Sequence, residues 1–291
     1  MIPAAVAAAL APVTGELAAS TGAGGGSIND SYVITGTGGR RWFLKLNDAG
    51  QADMFAAEAA GLEEMAAADA VRVPHALAHG TAGHHAYLLL ECLDLGRGGA
   101  AAAAQLGRQL AAQHRVVREQ FGWRRDNTIG STPQPNGWCE DWVEFWRERR
   151  LGFQLDLARD NGYDRGLLAR GRELLARLPE LLAGHRPEPS LLHGDLWAGN
   201  WGVLTTGEPV IFDPAVYFGD READLAMTRL FGGFPPDFYT AYDAAWSLPP
   251  GHEQRVALYN LYHVLNHLNL FGQSYAAQAQ GLMDRLLASG A

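Results

Sequence analysis

Lysine is nearly missing from this chain: of its 23 basic residues only one, Lys45, is not arginine. Cysteine is almost as scarce, and Cys92 and Cys139 are too few for a disulfide framework and lack metal-ligand spacing. That usage points to a reducing compartment, the cytoplasm. No run of about 18 apolar residues occurs, so no membrane span is expected. The alanine-rich start, Ile2 to Leu10, has no basic flank and is soon broken by Pro12, which argues against a signal peptide. Positive charge is also short, with a net −9 and a pI near 5.5. A general attraction to nucleic acid or to an anionic membrane is excluded, so any bound anion must be held locally. No internal repeat is present.

What is there reads as α+β. The first ninety residues form a small mixed lobe: a short opening helix, a turn-forming run from Gly22 to Ser27, then strands at Tyr32–Ile34 and Trp42–Leu46. Residues 51–68 have helical periodicity, and two more strands fall between Val71 and Glu91. Beyond Asp94 long helices dominate, at about 101–119, 140–159 and 164–183, interrupted by short apolar strands at Ser190–Leu192 and Pro209–Phe212. The tail from about 221 is helical again. The expected division is 1–92 and 93–291.

In the strand from Trp42 to Leu46, alternation sends Trp42, Leu44 and Leu46 to one face and Phe43 and Lys45 to the other, beneath the glycine run. A lone ammonium in an arginine-rich chain suggests a place where a compact point charge is needed. On the next helix Met54, Glu58, Leu62 and Met65 recur at helical spacing, placing Glu58 in an apolar stripe, away from the exposed Glu63 and Glu64. A half-buried carboxylate needs a partner, and Lys45 is the natural one.

A second constellation is His193-Gly194-Asp195-Leu196-Trp197-Ala198-Gly199-Asn200, followed by Phe212-Asp213-Pro214. Asp195, Asn200 and Asp213 converge where two buried strands stop. Magnesium takes carboxylate and amide oxygens together with substrate phosphates, and a carboxylate off the metal can accept a proton from an attacking hydroxyl. Each Asp alone is equally well a turn residue or a helix cap.

Taken together, these parts resemble a kinase-like phosphotransferase: glycine loop, strand lysine, helix glutamate, Asp-x4-Asn, then Asp. His193-Gly194-Asp195 stands where protein kinases have His-Arg-Asp, so no receptor for an activation-loop phosphate is visible. That is the pattern of the small-molecule kinases, among them the aminoglycoside and choline kinases. Over nearly its whole length the chain most closely resembles the fructosamine kinase (ketosamine kinase) family. Carrying that resemblance are Gly25–Asn29, Phe121-Gly122-Trp123, Asp126–Gln134, Asp141–Trp146, His193–Asn200, Gly219–Ala226, Tyr259–His263 and Asn266–Gly272.

The resemblance implies a two-lobed protein-kinase-like fold with a small antiparallel β lobe, one key helix and a larger helical lobe. It implies ATP and Mg2+ as cofactors. Asp195 would be the catalytic base, and Asn200 and Asp213 would bind the metal. Lys45, backed by Glu58, would hold the phosphates under Gly24, Gly25, Gly26 and Ser27. Adenine would lie along the backbone of Glu91, Cys92 and Leu93. Asp224 would brace the catalytic loop through backbone N–H groups, Trp197 would wall the sugar, and His267 would face the substrate. Some eukaryotic members carry cysteine where this chain has Ser27, so a redox-linked disulfide dimer is not implied. The expected activity is transfer of a phosphoryl group to O3 of a free or protein-bound ketosamine. In the family this step destabilises the sugar–amine link and restores the amine, a repair role. A monomer that binds neither nucleic acid nor membrane is expected.

Two other readings stay open: a kinase for another small hydroxyl compound, or a nucleotide-binding module without catalysis. His75, His79, His84 and His85 crowd a hairpin without tetrahedral metal spacing. Val264 between His263 and His267 replaces the glutamate of a zinc-protease motif. Six of the eight tryptophans lie between 123 and 201 and are expected to fill the core of the helical lobe.

Overall fold

The structure, a computed structural model, describes residues 1–24 and 28–289. Gly25, Gly26 and Ser27, three of the expected phosphate-loop residues, lie outside the described residues. After α1 (Ala4–Thr14) come β1 (Leu17–Gly22), β2 (Asp30–Gly36), β3 (Arg41–Asp48), α2 (Ala52–Ala67), β4 (Ala76–Ala82) and β5 (His85–Glu91). These strands form an antiparallel sheet in the order β1-β2-β3-β5-β4. Its two faces are covered differently. Trp42, Leu44 and Leu46 join Ile34 and Leu89 beneath Val6 and Leu10 of α1. Each such burial contributes about 1.5–3 kcal/mol relative to exposure. The opposite face receives α2 through Phe55, Leu62 and Met65, which pack with Leu88 and Leu90. Lys45 is on that second face, turned toward α2.

The remainder is mainly helical: α3 (Ala100–His114), α4 (Trp142–Trp146), α5 (Phe153–Asp160), α6 (Arg165–Leu181), α7 (Glu222–Met227), α8 (Pro236–Ala245), α9 (His252–Phe271) and α10 (Ala276–Ala288). A π-helical turn, Arg147–Gly152, joins α4 to α5 in one rod. Three antiparallel strand pairs interrupt the helices. They are β6 (Asn127–Ile129) with β7 (Thr132–Gln134), β9 (Trp201–Val203) with β10 (Pro209–Ile211), and β8 (Ser190–Leu192) with β11 (Tyr217–Gly219). Aromatic side chains hold the rod to α9: Trp146 meets Tyr259 edge-on at 5.0 Å, and Trp142 tilts against the same Tyr259 ring at 6.2 Å. The arrangement is the α+β, protein-kinase-like fold expected from the motifs. No described helix is long and apolar enough to cross a membrane.

Several local expectations need correction. Strand β1 shows no apolar alternation and is mostly exposed; it exists because its backbone pairs with β2. The helix expected over 101–119 stops at His114 because the next backbone groups are taken by β8, Leu191 N–H donating to Val116 O and Arg118 N–H to Pro189 O. Glu64 is not a free surface residue: it accepts from Arg118 and from the Trp123 indole. Of the six clustered tryptophans, Trp138 and Trp197 are exposed, not part of the core.

Candidate active site

The lone lysine sits at the centre of the cleft. Lys45 Nζ donates to Glu58 Oε1 at 2.6 Å and to Asp213 Oδ1 at 2.7 Å. The register of β3 fixes its face, and the helical phase of α2 brings Glu58 above it. Burial alone would lower the Lys45 pKa, but Asp213 and Glu58 outweigh it and keep the ammonium charged well above its usual range. Burial raises the Glu58 carboxyl despite the pull of Lys45.

Opposite lies the loop after β8. Gly194 has φ +82°, and a Cβ there would meet Ala215 O at 2.0 Å, so only glycine permits this approach of the two loops. Asp224 accepts the N–H groups of His193 and Gly194, each at 2.8 Å, and His114 Nε2 approaches it at 3.1 Å. Burial opposes its charge, yet these partners hold the Asp224 carboxyl below its ordinary range. His193 Nδ1 accepts from Asp195 N–H at 3.2 Å, which leaves Nε2 to donate to Phe212 O at 2.9 Å. Burial lowers its pKa, consistent with that neutral tautomer. The loop before Asp195 is therefore tied at both ends to buried groups.

Asp195 itself is pushed up to about 7, first by burial and then by the neighbouring charges of Asp213 and Asp224. Asn200 Nδ2 donates to Asp195 O at 2.8 Å. That use of its nitrogen leaves Asn200 Oδ1 available as an oxygen donor. Asp213 adopts φ +59°, a left-handed conformation uncommon outside glycine but tolerated by Asp. Its side chain is half exposed, and Lys45 takes only Oδ1. An amide oxygen beside a carboxylate with a free oxygen is a hard-donor set that suits magnesium.

Lys45, Glu58, Asp195, Trp197, Asn200 and Asp213 all line one cavity of about 200 Å³, and His267 lines it too. Trp197 meets Phe231 edge-on at 6.3 Å, and Phe231 lies 4.6 Å from His267, which also neighbours Phe271 and Tyr275. This aromatic rim was not legible beyond Trp197 and His267, because Phe231 and Tyr275 stand on segments without a chemical motif. Asn127 and Asn266 also line the cavity. Glu91, Cys92 and Leu93 do not; Glu91 is paired with Arg72 at 2.5 Å. Gly24 follows β1, in open space.

Comparison with known proteins agrees with this geometry. The sequence profile described as fructosamine kinase matches residues 4–289. A Synechocystis protein named probable ketoamine kinase slr1563 is 50% identical over 264 residues, covering 90% of this chain and 88% of the relative. The chloroplastic protein-ribulosamine 3-kinase of Arabidopsis thaliana is 43% identical over 270 residues, covering 91% of this chain and 81% of the relative. A crystal structure from Haemophilus somnus 129PT, provisionally named a fructosamine-3-kinase, superposes with a TM-score of 0.88 at 29% identity, covering 97% of each chain.

Proposed function

The chain belongs to the fructosamine kinase family, and from that premise we propose that it transfers the γ-phosphoryl group of ATP to a hydroxyl, O3, of a ketosamine such as ribulosamine or fructosamine. The observation that carries this reading is Lys45 gripped between Glu58 and Asp213 in the cavity that also holds Asp195. Lys45 would meet the α/β phosphates as a point charge, with Glu58 keeping its ammonium aimed. Asn200 Oδ1 and the free Asp213 oxygen would hold Mg2+, which when bound offsets charge on the phosphates. Asp195 would accept the proton of the sugar hydroxyl as its oxygen attacks the γ-phosphorus and ADP departs.

Asp224 would act through the loop, its two backbone contacts fixing where Asp195 stands. Trp197 would lie against the C–H face of the sugar, with His267 across the same cavity. Nucleotide would be clamped between residues 1–92 and the rest of the chain, with adenine beside Glu91–Leu93. The protein would work as a cytoplasmic monomer, a placement supported by its two free cysteines.

Phosphorus NMR of ribulosyl- and fructosyl-amines incubated with the protein, ATP and Mg2+ tests the reading. A new sugar phosphomonoester signal alongside ADP supports it. Inert ketosamines together with phosphorylation of choline or an aminoglycoside would overturn it.

A further inference from the structure

Arg150 is fully buried, yet no carboxylate among the described residues lies within salt-bridge distance of it. A buried charge without an opposite charge is costly, and proteins rarely retain one. It stands in the π-helical turn Arg147–Gly152, a geometry frequent at functional sites. The guanidinium lies 4.0 Å from the Tyr217 ring centroid and 4.6 Å from that of Phe145. Its Nη1 donates to Pro135 O at 2.7 Å, Nη2 donates to Asn136 Oδ1 at 2.7 Å, and Nε has no partner.

From Asn136 a directed chain of amides runs to the cleft. Asn136 Nδ2 donates to Asn127 Oδ1 at 2.6 Å, and Asn127 Nδ2 donates to Val216 O at 2.9 Å. Gln134 Nε2 donates to the same Asn127 Oδ1 at 2.8 Å and to Ala215 O at 3.1 Å, while Tyr262 caps Gln134 Oε1 at 2.7 Å. Ala215 and Val216 follow Asp213 after the single residue Pro214, and the left-handed backbone of Asp213 needs support from its surroundings.

An amide can point either way in a hydrogen-bonded chain, because its oxygen and nitrogen are nearly isosteric. A guanidinium cannot: it has donors only and never loses its charge. We propose that Arg150 is a positioning residue that fixes the polarity of this amide relay, and through it holds the Asp213–Val216 segment in the conformation that presents Asp213 to the phosphates. With a permanent donor at its origin, Asn136 must offer oxygen to Arg150 and nitrogen to Asn127, which in turn must donate to Val216. The aligned dipoles strengthen one another. A lysine would supply the charge without the fork that reaches two acceptors.

This inference rests on the phosphotransferase reading above. Its test compares wild type, Arg150→Met and Asn136→Asp, with steady-state rates measured against Mg2+ concentration and thermal melts run on the same samples. Asn136→Asp is the decisive variant: it gives Arg150 a carboxylate, which keeps the cation paired and the fold intact, but sets an oxygen against Asn127 Oδ1 where a donor is required. Both variants should lower kcat about tenfold or more and raise the Mg2+ concentration for half-maximal rate at least about threefold. Asn136→Asp should do so with a smaller loss of melting temperature than Arg150→Met shows. Should Asn136→Asp show the wild-type kcat and Mg2+ dependence, the relay plays no positioning part. A purely structural Arg150 would lower the melting temperature of Arg150→Met without moving the Mg2+ dependence. Absence of any ketosamine phosphorylation by the wild type would instead reject the underlying reading.

Discussion

A carboxyl that is hard to ionise in the folded protein makes the fold less stable as pH rises, and Asp195 should show this. Its folded value of about 7 lies above the ordinary 3.8, with burial the first cause and the charges of Asp213 and Asp224 next. Between those values the folded state keeps a proton that the unfolded chain has lost. The resulting stability is fully present below the unfolded value and disappears as pH climbs to the folded one. About three pH units at 1.36 kcal/mol each give about 4 kcal/mol in all, of which about 3 kcal/mol falls between pH 5 and pH 8. Asn at this position cannot ionise and carries no such slope. Urea unfolding of wild type and Asp195→Asn without nucleotide, at pH 5 and pH 8, singles out the group, because the titrations of groups remote from Asp195 cancel in the difference. The variant should gain about 3 kcal/mol on wild type between the two pH values. An unchanged difference would refute the claim that burial holds this acid protonated.

Other consequences are as direct. Lys45→Met strands Glu58 in an apolar stripe and should cost about 3–5 kcal/mol of stability; pairing it with Glu58→Leu should restore much of that in a melt while leaving phosphoryl transfer undetectable. Gly194→Ala must push its Cβ into Ala215 O at a left-handed backbone position, so soluble yield and turnover should both collapse. Trp197→Ala should raise the ketosamine KM about tenfold and leave the ATP KM within twofold, as expected if the cavity-lining indole is the proposed wall for the sugar; equal rises in both would argue against a sugar wall.

The residues that were readable in advance are those whose position follows from period alone. Two-residue alternation put Lys45 on the inner face of β3, the helical repeat carried Glu58 to it, and the ends of buried strands placed Asp195 and Asp213. Each needs only local geometry. Arg150 was invisible because Arg-Glu-Arg-Arg reads as a solvated face; its burial depends on the π-helical turn and on aromatic partners far along the chain. Asn127 and Gln134 were noticed only as part of a resemblance and Asn136 not at all, since an amide shows no sign in sequence of which backbone carbonyl it will hold. Strand β1 and the β11 pairing with β8 were missed for a related reason: backbone pairing, not side-chain pattern, makes them. Trp138 shows the converse: a tryptophan is assigned to a core by its size, yet this one is exposed against Phe218.

The central claim is that Asp195 takes the proton of a ketosamine hydroxyl in the Lys45–Asp213 cleft. Rapid-quench measurement of a single turnover with Mg2+, ATP and a ribulosyl-amine, run on wild type and Asp195→Asn with nucleotide affinity measured in parallel, tests it most directly. The variant should bind ATP within about threefold of wild type and form sugar phosphate about 10²–10⁴-fold more slowly. Sugar phosphate formed by the variant at the wild-type rate would contradict the account.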